Sequence, residues 1–324
     1  SSMTVAARPE RFDLPGADLR LAADRWGPRT DDVVVFLHGA GQSRRAWDDA
    51  AHAVAAIGWH AITVDHRGHG DSEWPTEADY DWDRFADDVI AIVEHLGTPP
   101  VLVGASLGGM SALLAQARTD EQLFRAVVLV DVTPRMELGG VQRIVGFMAA
   151  HPDGFDSLDA ASAIIAEYTG RPRPPTPDGL RQVLARGSDG RWRWRWDVRF
   201  LEGRADMIIG GDIEALREIQ VRERLHEGAR RIKVPALVVR GECGINMLRA
   251  PRRVARLTLA QPPSRAQHRA DAGGVDHVLA VLALLLVQRA DGRLSVHGWP
   301  PCSWTRTCSH PGACAPGPGR QAGR

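Results

Sequence analysis

Val101-Leu102-Val103-Gly104-Ala105-Ser106-Leu107-Gly108-Gly109-Met110 decides the reading of this chain. An apolar run of strand length ends at Val103, and a helix-like run follows Ser106 to Ala117. Gly104 to Gly108 therefore form a tight strand-to-helix turn with a serine at its apex. Such a turn crowds its own backbone, and glycine, having no Cβ, relieves the crowding on both sides of the serine. The pattern G-x-S-x-G in a strand–turn–helix setting presents the hydroxyl clear of the sheet edge as a nucleophile. The alternative is a glycine-rich turn whose serine is buried and caps the helix.

The same rhythm extends on either side. Residues 10–26 alternate around Pro15-Gly16 and suggest a hairpin. Val33–Leu37 is a continuous apolar run, the pattern of a strand buried on both faces. Ala46–Ile57 has helical spacing and Ala61–Val64 is the next strand. Trp82, Phe85, Val89, Ile92, Val93 and Leu96 recur at helical intervals until Gly97 stops them. Ala126–Val130 is a further strand, and Pro235–Val239 resumes the series. Strands alternating with helices predict an α/β fold with a doubly wound, mostly parallel sheet.

The rhythm breaks at Pro134. Residues 134–230 read as a helical insertion, with a proline-rich joint at 171–175 and the run Arg191-Trp192-Arg193-Trp194-Arg195-Trp196. At period two that run places indoles on one face and guanidinium groups on the other. A wall of Trp192, Trp194 and Trp196 along a pocket is favoured over stacking on single-stranded nucleic acid, because the chain has no wider basic excess. The expected organisation is a core in two parts, 1–133 and 231–290, a helical cap at 134–230, and a tail at 291–324 without periodicity and expected to be disordered.

The totals narrow the class of function. Forty basic and forty acidic residues cancel, which removes any global argument for nucleic acid or an anionic membrane as partner. All four cysteines lie at or after Cys243, so the body carries no disulfide framework. The longest apolar stretch, Val278–Val287, is too short to span a bilayer, and Ser1–Thr4 lack the basic and apolar blocks of a secretion signal. A cytoplasmic protein is expected. No cofactor is expected, and neither the paired His66 and His69 nor the evenly spaced Cys302, Cys308 and Cys314 have the spacing of a metal site.

Two further loops follow strands. His38-Gly39-Ala40-Gly41 leaves backbone N–H groups unpaired after Val33–Leu37, and the Ala40 N–H together with that of Leu107 is suited to hold a developing oxyanion. A plain strand–helix turn is the alternative. Asp65-His66-Arg67-Gly68-His69-Gly70-Asp71-Ser72 reads as a hydrogen-bonded structural loop beside the site.

In order and spacing, these two loops and Gly104–Gly109 resemble the α/β-hydrolase superfamily over roughly residues 10–240. The closest likeness is to serine-nucleophile members among actinobacterial proteins of the epoxide-hydrolase and non-haem-peroxidase type. The resemblance implies a helical cap after the sixth strand and a triad in the order serine, acid, histidine. Epoxide hydrolases of the superfamily carry aspartate at the turn, since an alkyl-enzyme ester needs a carboxylate nucleophile; Ser106 implies an acyl-enzyme instead. Esters, thioesters and lactones of a small or medium apolar acid are then the expected substrates. His277, just before the last apolar helix, is the expected base, with His268 in reserve. The family carries its acid in Arg-Gly-x-x-Ser-Asp, but here Arg240-Gly241-Glu242-Cys243-Gly244-Ile245 puts isoleucine at that place. Either the acid has moved, to Asp131 after Ala126–Val130 or to Glu242, or the sequence past about residue 242 departs from the family. His38 and Gly39 join the tryptophans as expected pocket residues. Perhydrolysis on the same residues, and a ligand-binding protein without a working triad, are the alternative functions.

Overall fold

The structure, a computed structural model, describes residues 9–132, 138–170, 172–202, 205 and 218–239. Glu10–Pro15 (β1) and Arg20–Trp26 (β2) form the expected hairpin, with Leu14 opposite Leu21. Val33–Leu37 (β3), His60–Val64 (β4), Val101–Ala105 (β5) and Ala126–Val130 (β6) form the parallel centre of the sheet, and Ala236–Val239 (β9) lies beyond them. Among the described residues they make a seven-stranded sheet in the order β1-β2-β4-β3-β5-β6-β9, antiparallel at β1–β2–β4 and parallel from β4 to β9.

Side chains two apart share a face of the sheet, and each face is covered. Val34, Phe36, Ala61, Val101, Val103 and Val128 pack with Trp47, Trp59 and the helix Asp48–Ala56 (α1). Val35, Leu37, Ile62, Leu102 and Val127 face Trp82–Leu96 (α2), Leu107–Gln116 (α3) and Glu218–Arg231 (α6). Burial on both sides explains why β3 and β6 are unbroken apolar runs rather than alternating ones. α2 begins where the Asp81 carboxylate accepts the Asp83 N–H at 3.2 Å and ends at Gly97, whose φ of 69° is the left-handed conformation that stops a helix.

Between β6 and α6 the chain makes Leu138–Ala149 (α4), Leu158–Thr169 (α5), two short 3-10 turns and an antiparallel pair, Leu184–Arg186 (β7) with Trp192–Trp194 (β8). The expectation of a helical segment is thus corrected at the Arg–Trp run, which is extended. Period-two alternation cannot bury one face of a helix but can bury one face of a strand. The limit at 230 is corrected as well: Val221 and Leu225 of α6 join Leu113 of α3 in the core under the sheet. No helix among the described residues is long and apolar enough to cross a membrane.

Candidate active site

The strand order reverses at β3: β4 lies on one side of it and β5 on the other. In an open parallel sheet, the carboxyl ends at such a reversal leave a crevice, because the loops that follow turn to opposite faces. Register places three loops around it. Leu37 lies beside Gly104, Ala105 beside Val130, and Val130 beside Val239. The His38 loop, Ser106 and Asp131 therefore leave the sheet as neighbours.

Ser106 has φ 44° and ψ −109°, a conformation that residues with a Cβ rarely adopt. The surroundings hold it there. Its N–H donates to the Val130 carbonyl at 3.1 Å, and its own carbonyl accepts from Met110 at 2.9 Å. A Cβ on Gly104 would lie 2.5 Å from the Gly109 nitrogen, and one on Gly108 would lie 2.5 Å from the Leu37 carbonyl oxygen. The glycines thus let α3 approach β3 and β5 at backbone distance. Ser106 is partly exposed and its hydroxyl does not cap α3, unlike the buried-cap alternative.

The loop after β3 abuts this serine. A Cβ on Gly39 would stand 3.5 Å from Ser106 Cβ, and the Gly108 N–H donates to the His38 carbonyl at 3.2 Å. The N–H groups of Ala40 and Leu107, the latter in the open first turn of α3, have no acceptor among the described residues. Asp131 follows β6 with φ 55°, and its N–H donates to the Val239 carbonyl at 2.8 Å. Glu242, His268, His277 and the four cysteines lie outside the described residues.

Three histidines underlie the loops. His38 Nδ1–H donates to the Gly39 carbonyl at 2.8 Å while its Nε2 accepts the His66 N–H at 3.1 Å. His66 Nε2–H donates to the His38 carbonyl at 3.0 Å. His69 Nδ1–H donates to the Arg67 carbonyl at 3.0 Å, and its Nε2 accepts the Gly41 N–H at 3.2 Å. Burial pushes all three below the usual imidazole range, His38 to about 4 and His69 to about 3. They are neutral struts. His38, expected on the pocket wall, is a fully buried support beneath the loop, with both ring nitrogens engaged by backbone.

The tryptophans divide. Trp194 and Trp196 are buried in one apolar cluster with Leu107, Phe147, Phe155 and Phe200, above the carboxyl ends of the strands. Trp192 is only half-buried and lies under Arg181, 4.8 Å from its ring centre. The intervening arginines are paired, Arg191 with Asp156, Arg193 with Asp189 and Arg195 with Asp71.

One buried group escaped the sequence reading. Arg44, just after the His38 loop, reaches Asp24 at 2.9 Å, Asp65 at 2.5 Å and Asp71 at 2.9 Å, and its N–H donates to Asp65. It ties β2, the loop after β4 and the loop after β3 together. An arginine in a polar stretch reads as surface; only its three distant carboxylates make it internal.

Residues 34–291 match the family described as "Alpha/beta hydrolase family". The chain is 32% identical over 185 residues to an esterase of Mycobacterium tuberculosis, covering 55% of this chain and 60% of that protein. It is 37% identical over 113 residues to a bifunctional esterase/perhydrolase of Acinetobacter calcoaceticus, covering 34% of this chain and 41% of that one. The chain thus matches about 60% or less of the length of these relatives. Among solved structures, E-2-(acetamidomethylene)succinate hydrolase shares the fold with a TM-score of 0.59 at 24% identity, over 72% of this chain and 81% of that one.

Proposed function

Because the chain belongs to the alpha/beta hydrolase family, matched over residues 34–291, we propose that it hydrolyses carboxylic esters through an acyl-enzyme on Ser106. The observation that carries this reading is the conformation of Ser106, strained at φ 44° and partly exposed with the His38 loop against it, beside Ala40 and Leu107 N–H groups that have no acceptor among the described residues. In the proposed reaction Ser106 Oγ attacks the ester carbonyl carbon while the imidazole of His277 takes its proton. The carbonyl oxygen becomes an oxyanion held by the N–H groups of Ala40 and Leu107. Collapse expels the alcohol, which takes the proton from the imidazolium. Water then attacks the acyl-enzyme with the same histidine as base, releasing the acid and restoring Ser106. Asp131 is the proposed partner that orients the histidine, with Glu242 as the alternative.

An apolar acyl group of small or medium size is the proposed substrate class. Trp194, Trp196, Phe147 and Phe155 form an apolar cap wall joined to Leu107, and Ser43 Oγ donates to the Gln182 carbonyl at 3.2 Å across the same seam. Similarity to a protein named as an esterase supports the ester class. The test is turnover of p-nitrophenyl acetate and butyrate by the wild type beside Ser106→Ala. Turnover that vanishes in the variant is expected; turnover equal in both, or none in either, removes the proposal and leaves the ligand-binding reading.

A second reading is supported by the 37% identity to the esterase/perhydrolase. Hydrogen peroxide would replace water as acceptor of an acetyl group from Ser106, giving peracetic acid. Bromide oxidation in acetate buffer with peroxide, lost in Ser106→Ala, is its expected signature, and silence there excludes it.

A further inference from the structure

Three successive amides follow β3, and they are not alike. The Gly39 N–H donates to Gln42 Oε1 at 3.0 Å. The Gly41 N–H donates to His69 Nε2 at 3.2 Å. The Ala40 N–H between them has no acceptor among the described residues. The turn is closed by the Gln42 N–H on the Gly39 carbonyl at 3.1 Å, and Gly41 takes the left-handed conformation at φ 75°.

Each acceptor is itself fixed. Only the amide oxygen of Gln42 can receive an N–H, so its orientation is determined by the bond it makes. His69 has its lone pair on Nε2 because Nδ1–H is held by the Arg67 carbonyl at 3.0 Å. Its burial keeps the ring neutral, so the lone pair is present throughout the ordinary pH range. The loop carrying His69 is clamped from above: the Gly70 N–H donates to the Arg195 carbonyl at 2.6 Å, and the backbones of His69 and Trp196 form a β-bridge.

We infer that Gln42 and His69 are positioning residues for ester hydrolysis, engaging the amides of Gly39 and Gly41 so that the Ala40 N–H is reserved for the developing oxyanion. The inference rests on the acyl-enzyme reading of Ser106. Without these acceptors the flanking amides of Gly39 and Gly41 are free to turn, the Ala40 peptide plane turns with them, and its N–H loses alignment with the oxyanion. A displacement of about 1 Å at a reacting centre costs about 10²-fold in rate. The loss falls on the transition state, because the oxyanion exists only there.

The test uses the full chain and p-nitrophenyl butyrate, with a trifluoromethyl ketone of matching acyl length as a mimic of the tetrahedral adduct. Gln42→Met keeps length and bulk but has no oxygen to offer Gly39. It is expected to lower kcat by about 10- to 100-fold with KM within about threefold, and to weaken the trifluoromethyl ketone by the same factor as kcat. His69→Gln, which can return an oxygen near the place of Nε2, is expected to keep more activity than His69→Leu. Should both His69 variants fail to fold, Gln42→Met decides alone. If the wild type shows Ser106-dependent turnover and Gln42→Met retains kcat and ketone affinity within twofold, the inference is overturned while the Ser106 reading stands. If the wild type has no Ser106-dependent turnover, the parent reading falls, and this one with it.

Discussion

Ser106 holds a backbone conformation that costs a residue bearing a Cβ about 1–3 kcal/mol, and it does so at the carboxyl end of β5, beside the reversal of strand order. Strain stored there has a measurable consequence. Ser106→Gly should raise the urea midpoint above that of Ser106→Ala by the equivalent of about 1 kcal/mol, because glycine alone accepts the conformation without penalty. Both variants should lose turnover by at least about 10³-fold. Equal midpoints would mean that the turn stores no strain. The turn around this residue was legible because its requirement is local: glycines at 104, 108 and 109 answer close contacts with neighbouring backbone that any strand–turn–helix would impose. His38 was not legible in the same way. A polar ring beside a glycine reads as a pocket residue, and only the tertiary partners Gly39 and His66 reveal a buried support. Gln42 and Arg44 were missed for the same reason, since what matters is where their partners lie.

Among the elements, α2 is joined to the loops by one buried pair. Asp88 receives Arg67 Nε at 2.7 Å and Nη2 at 2.8 Å, and it also accepts the Ala17 N–H at 3.0 Å from the β1–β2 turn. Without Asp88 the buried Arg67 keeps only the half-exposed Asp18, at 2.8 Å, as a carboxylate partner, which places the cost near the lower end of the about 3–5 kcal/mol of a broken buried pair. Asp88→Ala should therefore shift the unfolding midpoint by that amount, where an exposed aspartate such as Asp120 should shift it little. A shift below about 1 kcal/mol would show that Arg67 finds other support. Strand and helix positions could be read from the pattern because β3 and β6 are unbroken apolar runs and α2 repeats its apolar residues at helical intervals. The Arg–Trp run alternates at period two, and its Trp192–Trp194 is a strand within a segment whose overall composition reads as helical. Helix α6 was assigned to the wrong layer because an apolar face does not say which neighbour it meets.

For the molecule as a whole, three buried imidazoles under the loops predict a pH dependence of stability. In the folded chain His38 and His69 titrate near 4 and 3, and His66 also well below the ordinary value, whereas unfolded histidine titrates near 6.5. Between those values the unfolded chain binds protons that the folded chain refuses, so stability rises with pH and is lost as pH falls below about 6.5 toward 4. Urea midpoints should be lower at pH 5 than at pH 7, with a slope of about two protons, because Asp48, raised by burial to about 6, takes up a proton in the folded chain and offsets one histidine; midpoints that agree would show that the rings accept protons in place. The fold's global order, with its reversal at β3, gathers the His38 loop, Ser106 and Asp131 at one edge. Their proximity follows from strand order, which periodicity does not encode. Whether this edge presents Ser106 Oγ as a nucleophile is read from reaction with a fluorophosphonate, followed by intact mass and peptide mapping. One adduct per chain, on Ser106 and absent in Ser106→Ala, is expected; an unmodified chain, or an adduct on any other residue, would show that Ser106 is no nucleophile.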